Sequence, residues 1–214
     1  MKLSVYYKGL HWPHILFFTL TPVIAVISIL WISLTTGLRW ETGLLALVML
    51  ILAGLSTTAG YHRLFSHKTY EARWPARLFF LLFGAAAFQG SVRWWASGHR
   101  NHHLYTDTPK DPYGINKGFW YAHIGWLFTH DQEISHFENV KDLDADAWIR
   151  WQDRLFPLVA VGIGWILPAL MAMLWSDFWG GFFVCVNYIF VFCLACENYN
   201  IFTRSRIQKL FRYD

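Results

Sequence analysis

Five of the ten histidines fall into two tight groups: His62 and His67 within H-R-L-F-S-H, and His99, His102 and His103 within H-R-N-H-H. On a helix the second group stands at i, i+3 and i+4, so its rings project from one face and can grip one metal ion. His62 and His67 are five apart and diverge on an ideal α-helix, so they need a local distortion or a helix end to converge. One histidine means little, and an H-R pair near a membrane is an ordinary basic interface feature. Five histidines in two groups, beside apolar runs and on one expected side, point to metal binding. Imidazole-rich sites suit iron, zinc, copper or nickel, so ligand type leaves the metal open.

Asp107 and Asp111, in T-D-T-P-K-D-P-Y, follow the second group closely. Carboxylates there can receive the outer N–H of ligating rings, and the Asp-Pro sequence also sets a turn; the two readings are compatible. His123, in G-F-W-Y-A-H-I-G-W, stands alone, and a structural role suits it as well as a ligand role. His11, His14, His130 and His136 show no cluster spacing.

The elements that must position these residues belong to a membrane. Of 214 residues, 55% are hydrophobic, 19% aromatic and 15% charged, too apolar for an ordinary soluble domain. Apolar runs at 15–34, 43–61, 155–175 and 178–196 each approach the roughly 20 residues a spanning helix needs. They predict four transmembrane helices in two hairpins, with tight reversals at 35–42 and 176–177. The first run is long and ends in no small-residue cleavage site, so it reads as a retained helix. Pro168, with Gly162 and Gly164, is expected to bend the third. A shorter run at 78–88 predicts an interfacial or core helix, with Trp74, Trp94 and Trp95 near the headgroups.

The net charge of +4 is spread among Trp and Tyr around the ends of the apolar runs, which fits a membrane surface and not nucleic acid. Arg39 lies in the first reversal and none of the other Lys or Arg lies on that side, so both termini and residues 62–154 are expected in the cytoplasm. Cys185, Cys193 and Cys196 share one apolar stretch and read as small hydrophobes; the C-x-x-C spacing of Cys193 and Cys196 is a weak redox or zinc signal. No repeat appears, and the chain reads as one domain.

The segments A-G-Y-H-R-L-F-S-H-K-T-Y, F-Q-G-S-V-R-W-W-A-S-G-H-R-N-H-H, Y-T-D-T-P-K-D-P-Y and K-G-F-W-Y-A-H-I-G-W-L-F, in this order, resemble the membrane delta-9 fatty-acyl desaturases, which include the stearoyl-CoA desaturases. The resemblance runs from the first helix to about Gly181. It implies an all-α integral membrane fold, four transmembrane helices beneath a helical cytosolic cap. It implies a non-haem di-iron (Fe) centre with His62, His67, His99, His102 and His103 as ligands, and Gln89, Trp94 and Trp95 near the acyl chain. Ser97 and Gly98 stand where animal relatives often carry polar or charged residues.

The activity implied is insertion of a cis double bond, at delta-9, into a saturated acyl chain carried as a CoA thioester or on a lipid. It uses O2 and two electrons from a donor of cytochrome b5 or ferredoxin type, in the cytoplasmic membrane of a bacterium or the endoplasmic reticulum of a eukaryote. Hydrogen removal from an unactivated methylene is beyond any side chain acting as acid or base, so a cofactor must carry it. Two other readings are a related di-iron hydroxylase and a non-catalytic membrane protein that keeps the fold. The family continues with N-S-x-x-H and H-N-x-H-H motifs. Asn198, Tyr199 and Asn200 echo the latter without a histidine, so the chain is expected to be C-terminally incomplete and unable to hold both irons alone.

Overall fold

A computed structural model describes residues 9–106, 108–129 and 137–183. Asp107, His130, His136, the three cysteines and most of the fourth apolar run lie outside the described residues. Among those described, the chain is helical, and its β pairing is a single antiparallel bridge between Leu10 and Thr129.

Three helices are long and apolar enough to cross a membrane: α1 (Trp12–Thr35), α2 (Trp40–Ser66) and α8 (Phe156–Trp175). Between α2 and α8 come α3 (Trp74–Ala85), α4 (Val92–Tyr105) and the short α5 (Phe119–His123), α6 (Lys141–Asp144) and α7 (Ala147–Arg154). Residues 178–183 are helical again, the start of the fourth apolar run.

α1 buries Ala25, Ser28 and Ile32 on one stripe and exposes Val23, Val26, Ile27 and Leu30, the pattern of a helix with lipid on most sides. Its hydroxyls are satisfied inside the helix. Thr19, Thr21, Ser28, Ser33 and Thr35 each donate to a carbonyl three or four residues back, which makes them tolerable in hydrocarbon. α2 buries Leu45, Met49 and Ala53, again at four-residue spacing.

The run expected to be interfacial or core is the core helix: α3 packs along α2 and α8, with Leu81 and Ala85 fully buried. Two glycines set its approach to α2. A Cβ on Gly60 would fall 2.6 Å from Phe80, and one on Gly84 would fall 2.3 Å from a ring carbon of Tyr61, so each glycine receives the other helix's aromatic side chain. In α8 the hydrogen bonds widen to i→i+5 across Gly162–Ile166, just before Pro168.

Polar contacts tie the two ends of the bundle. At the end away from the histidines, Trp175 Nε1 donates to Thr42 Oγ1 at 2.9 Å, Thr42 donates to Asp177, and Asp177 Oδ1 accepts from Gly180 N at 3.1 Å. At the histidine end, His11 N donates to Phe128 O at 2.8 Å, and His14 Nδ1 donates to Leu127 O at 2.8 Å. The fully buried Gln152 joins four helices. Its amide donates to Tyr61 Oη at 2.7 Å and Leu81 O at 3.3 Å, and its carbonyl accepts from Val92 N at 3.1 Å.

Candidate metal centre

The last eleven residues of α2, Ser56–Ser66, wind with i→i+5 hydrogen bonds. His67 N reaches His62 O at 3.0 Å, and Ser66 Oγ donates to Tyr61 O at 2.7 Å. A π-helical turn holds one residue more than an α-turn, so side chains five apart come onto one face. That is the distortion the His62–His67 spacing requires. The two ring centroids lie 4.6 Å apart.

α4 brings the second group to the same place. Ser91 caps it by accepting from Trp94 N at 3.2 Å, and the preceding turn passes through left-handed backbone at Phe88 and Gly90. Trp94 packs so closely over Gly90 that a Cβ there would fall 2.6 Å from the ring. One turn on, Trp95 stacks on His99 with centroids 4.8 Å apart and planes 20° apart. Gln89, in the α3–α4 turn, is partly buried.

His62, His67, His99 and His103 offer ring nitrogens that all lie within 4.8 Å of one another. His99 Nε2 is 2.9 Å from His67 Nε2 and 3.1 Å from His103 Nε2. A ring nitrogen has either one N–H or one lone pair, so His99 Nε2 can satisfy one of these neighbours and not both. A cation between the lone pairs resolves the conflict. Imidazole nitrogens bonded to one ion at about 2.1 Å stand roughly 3.0–3.4 Å apart, close to the two spacings at His99. Burial, and then the neighbouring imidazoles, push the His99 ring down to about 2, so it is neutral and competent as a ligand at ordinary pH. The residues therefore fit a first-row metal ion. His67 and His103 are exposed, so the cluster opens outward.

His102 stands outside this foursome, its ring centroid 6.4 Å from that of His99 and 5.6 Å from that of His103. Its Nδ1 donates to Asp111 Oδ1 at 2.7 Å, and Tyr113 stacks on its other side at 4.3 Å. Asp111 is fully buried and also accepts from Tyr113 N at 3.2 Å. It is thus a turn residue and a histidine-orienting carboxylate at once. His123 is elsewhere, stacked on Phe119.

Sequence reading gave no role to Arg100, the arginine of H-R-N-H-H. Its Nε and Nη2 donate to the carbonyls of Ser66 and Phe65 at 3.0 and 2.8 Å, the end of α2 beside His67. Nη1 donates to Asn139 O at 2.6 Å, and the fork grips both oxygens of Asp142. Asn139 in turn donates to Ser97 O and Asn101 Oδ1, both at 2.9 Å. Arg100 and Lys68 hold the Asp142 carboxyl well below the usual carboxylate range, the Arg100 hydrogen bond first. Such partners lie decades of residues away, and no spacing rule pairs them.

Residues 38–202 match the model of the fatty acid desaturase family. The chain is 41% identical over 181 residues to a probable acyl-CoA desaturase of Schizosaccharomyces pombe, covering 83% of this chain and 37% of that protein. It is 39% identical over 150 residues to acyl-CoA desaturase 1 of Saccharomyces cerevisiae, covering 69% and 29%. To mouse stearoyl-CoA desaturase 4 it is 36% identical over 171 residues, covering 78% and 48%. The chain thus spans between about a third and a half of the length of these relatives. The chain belongs to the fatty acid desaturase family.

Proposed function

We propose that the protein is a membrane fatty-acyl desaturase that introduces a cis double bond, at delta-9, into a saturated acyl chain. The observation that carries this reading is the convergence of His62, His67, His99 and His103 at the mouth of a spanning helix. The proposed centre is di-iron, and its ligands include these four and His102 through Nε2, its Nδ1 being engaged by Asp111. When bound, iron with O2 supplies the oxidising power to remove hydrogen from an unactivated methylene.

The chain's own residues position and shield. Arg100 fixes the end of α2 against α4, so the two histidine groups keep their separation. Asp111 orients His102. Trp95 covers one face of His99 and keeps water from it, and Gln89, Trp94 and Trp95 border the proposed acyl path. The electrons are assigned to a donor of cytochrome b5 or ferredoxin type. The histidine end is assigned to the cytoplasm, and a fourth span in the run 178–196 completes the proposed bundle beneath its cap.

Metal and product test the reading separately. Elemental analysis of the purified protein should find iron, and His99→Ala should lose most of it. Gas chromatography of total lipids, from a host lacking its own desaturase and supplied with a donor, should show a new cis-monounsaturated acid once the family's N-S-x-x-H and H-N-x-H-H motifs are joined after Gly181. A hydroxy acid instead would favour the hydroxylase reading, and iron bound without either product would overturn catalysis by this chain.

A further inference from the structure

A groove of about 370 Å³, with no histidine in its lining, is formed by Ala147, Arg150, Trp151, Arg154 and Leu155. It lies on α7, which runs into α8 almost without a break, so Arg154 sits where a spanning helix begins. α7 turns Ile149 and Gln152 inward and leaves Trp148 48% and Trp151 37% exposed, their rings 6.1 Å apart and edge to face. Tryptophan and arginine together at the start of a span mark the headgroup layer.

Among the described residues the charge of the groove is left unneutralised. Asp142 pairs with Arg100 and Lys68, Asp144 with Arg93, and Asp146 with Arg77, while Asp153 accepts from Ser91 and faces Arg93. The acids near the groove are thus engaged with other residues. Arg150 is held in place through Nη1, which donates to Asp144 O at 2.6 Å. Arg154, exposed, makes no hydrogen bond or ion pair among the described residues. One guanidinium is anchored and the other is available, four residues apart on one face. Beyond them Leu158, 71% exposed, continues an apolar track down α8.

We propose that this groove binds the phosphate of an anionic phospholipid, with Arg150 and Arg154 on the phosphate, Trp151 against the glycerol region and one acyl chain along Leu155 and Leu158. A guanidinium pair suits phosphate oxygens by charge and by geometry, and the apolar track selects a lipid over a soluble phosphate. Such a lipid would hold the junction of α7 and α8 at a fixed depth.

Native mass spectrometry of the intact protein in detergent, titrated with phosphatidylglycerol or phosphatidylcholine of the same chains, tests this. The wild type should retain phosphatidylglycerol selectively. R154Q, which removes no hydrogen bond or ion pair among the described residues, should bind about fivefold more weakly, as expected for one surface charge. R150Q/R154Q should lose roughly twenty-five-fold, and R150K/R154K should recover most of the binding. The charge-matched control K110Q/K141Q, on exposed lysines elsewhere, should bind as the wild type. Equal loss in that control would mean diffuse charge and overturn the site, as would undiminished binding by R150Q/R154Q or no selectivity in the wild type. Displacement of the lipid by millimolar glycerol phosphate would overturn the lipid assignment.

Discussion

Arg100 carries no ligand atom, yet the spacing of the two histidine groups rests on it. Its guanidinium binds the carbonyls of Phe65 and Ser66 while its own backbone lies next to His99, so one planar fork fixes His67 relative to His99. Lysine keeps the charge and loses the fork. R100K is therefore expected to weaken metal binding by about 10- to 100-fold, the usual effect of removing a partner that orients a ligand, measured by chelator competition with Co(II), whose visible spectrum should also change. Unaltered affinity and spectrum would remove Arg100 from this role. Asp142, at the other side of the fork, makes a pH prediction. Its folded carboxyl titrates below its unfolded value of ~3.9, so its contribution to stability is full above that value and is lost as the pH falls towards the folded one. The difference in thermal midpoint between wild type and D142N in detergent should thus be present near neutrality and shrink through the carboxylate range. The pair is partly exposed, so the difference should be small.

At the scale of elements, the widened turns of Ser56–Ser66 and the glycine contacts of α2 with α3 belong together. The turn aims His62 and His67 to one side, and Gly60 and Gly84 let Phe80 and Tyr61 lock that part of α2 against α3. Gly84→Val would drive a branched side chain into Tyr61, one residue from His62. A cost of about 1–3 kcal/mol is expected for such overpacking, seen as a lower midpoint of thermal unfolding; an unchanged midpoint would show that the contact yields. The five-residue spacing of His62 and His67 announced that some distortion was needed, because an α-helix separates those positions. It could not name the π-turn, whose bonds are made by backbone and by Ser66. Helix existence was legible from the apolar runs at 15–34, 43–61, 78–88 and 155–175. The Arg100–Asn139–Asp142 network was not, since it joins residues from separate elements whose meeting depends on the completed packing.

For the whole molecule, the bundle has two polar ends. Leu10 and Thr129 pair at the histidine end, and Thr42, Trp175 and Asp177 meet at the other. The latter end carries a single basic residue, Arg39, and the proposed topology therefore places it outside. In a protein with Cys185, Cys193 and Cys196 replaced by Ala, N116C should react with an impermeant maleimide only after the membrane is opened, and L38C should react before. The reverse pattern would invert the assignment.

The hydrogen bond from His14 to Leu127 spans 113 positions, and this separation has a consequence in time. During synthesis at about 5–20 residues per second, the carbonyl is made roughly 6–23 s after the imidazole. The first helical pair can therefore enter the bilayer before the clasp at its histidine end exists, and the beginning of α1 must wait for the ribosome to deliver residues 127–129. Until then, nascent chains should expose His11 and His14 to modification, and the protection of those rings would date the moment when the aromatic segment closes on the bundle.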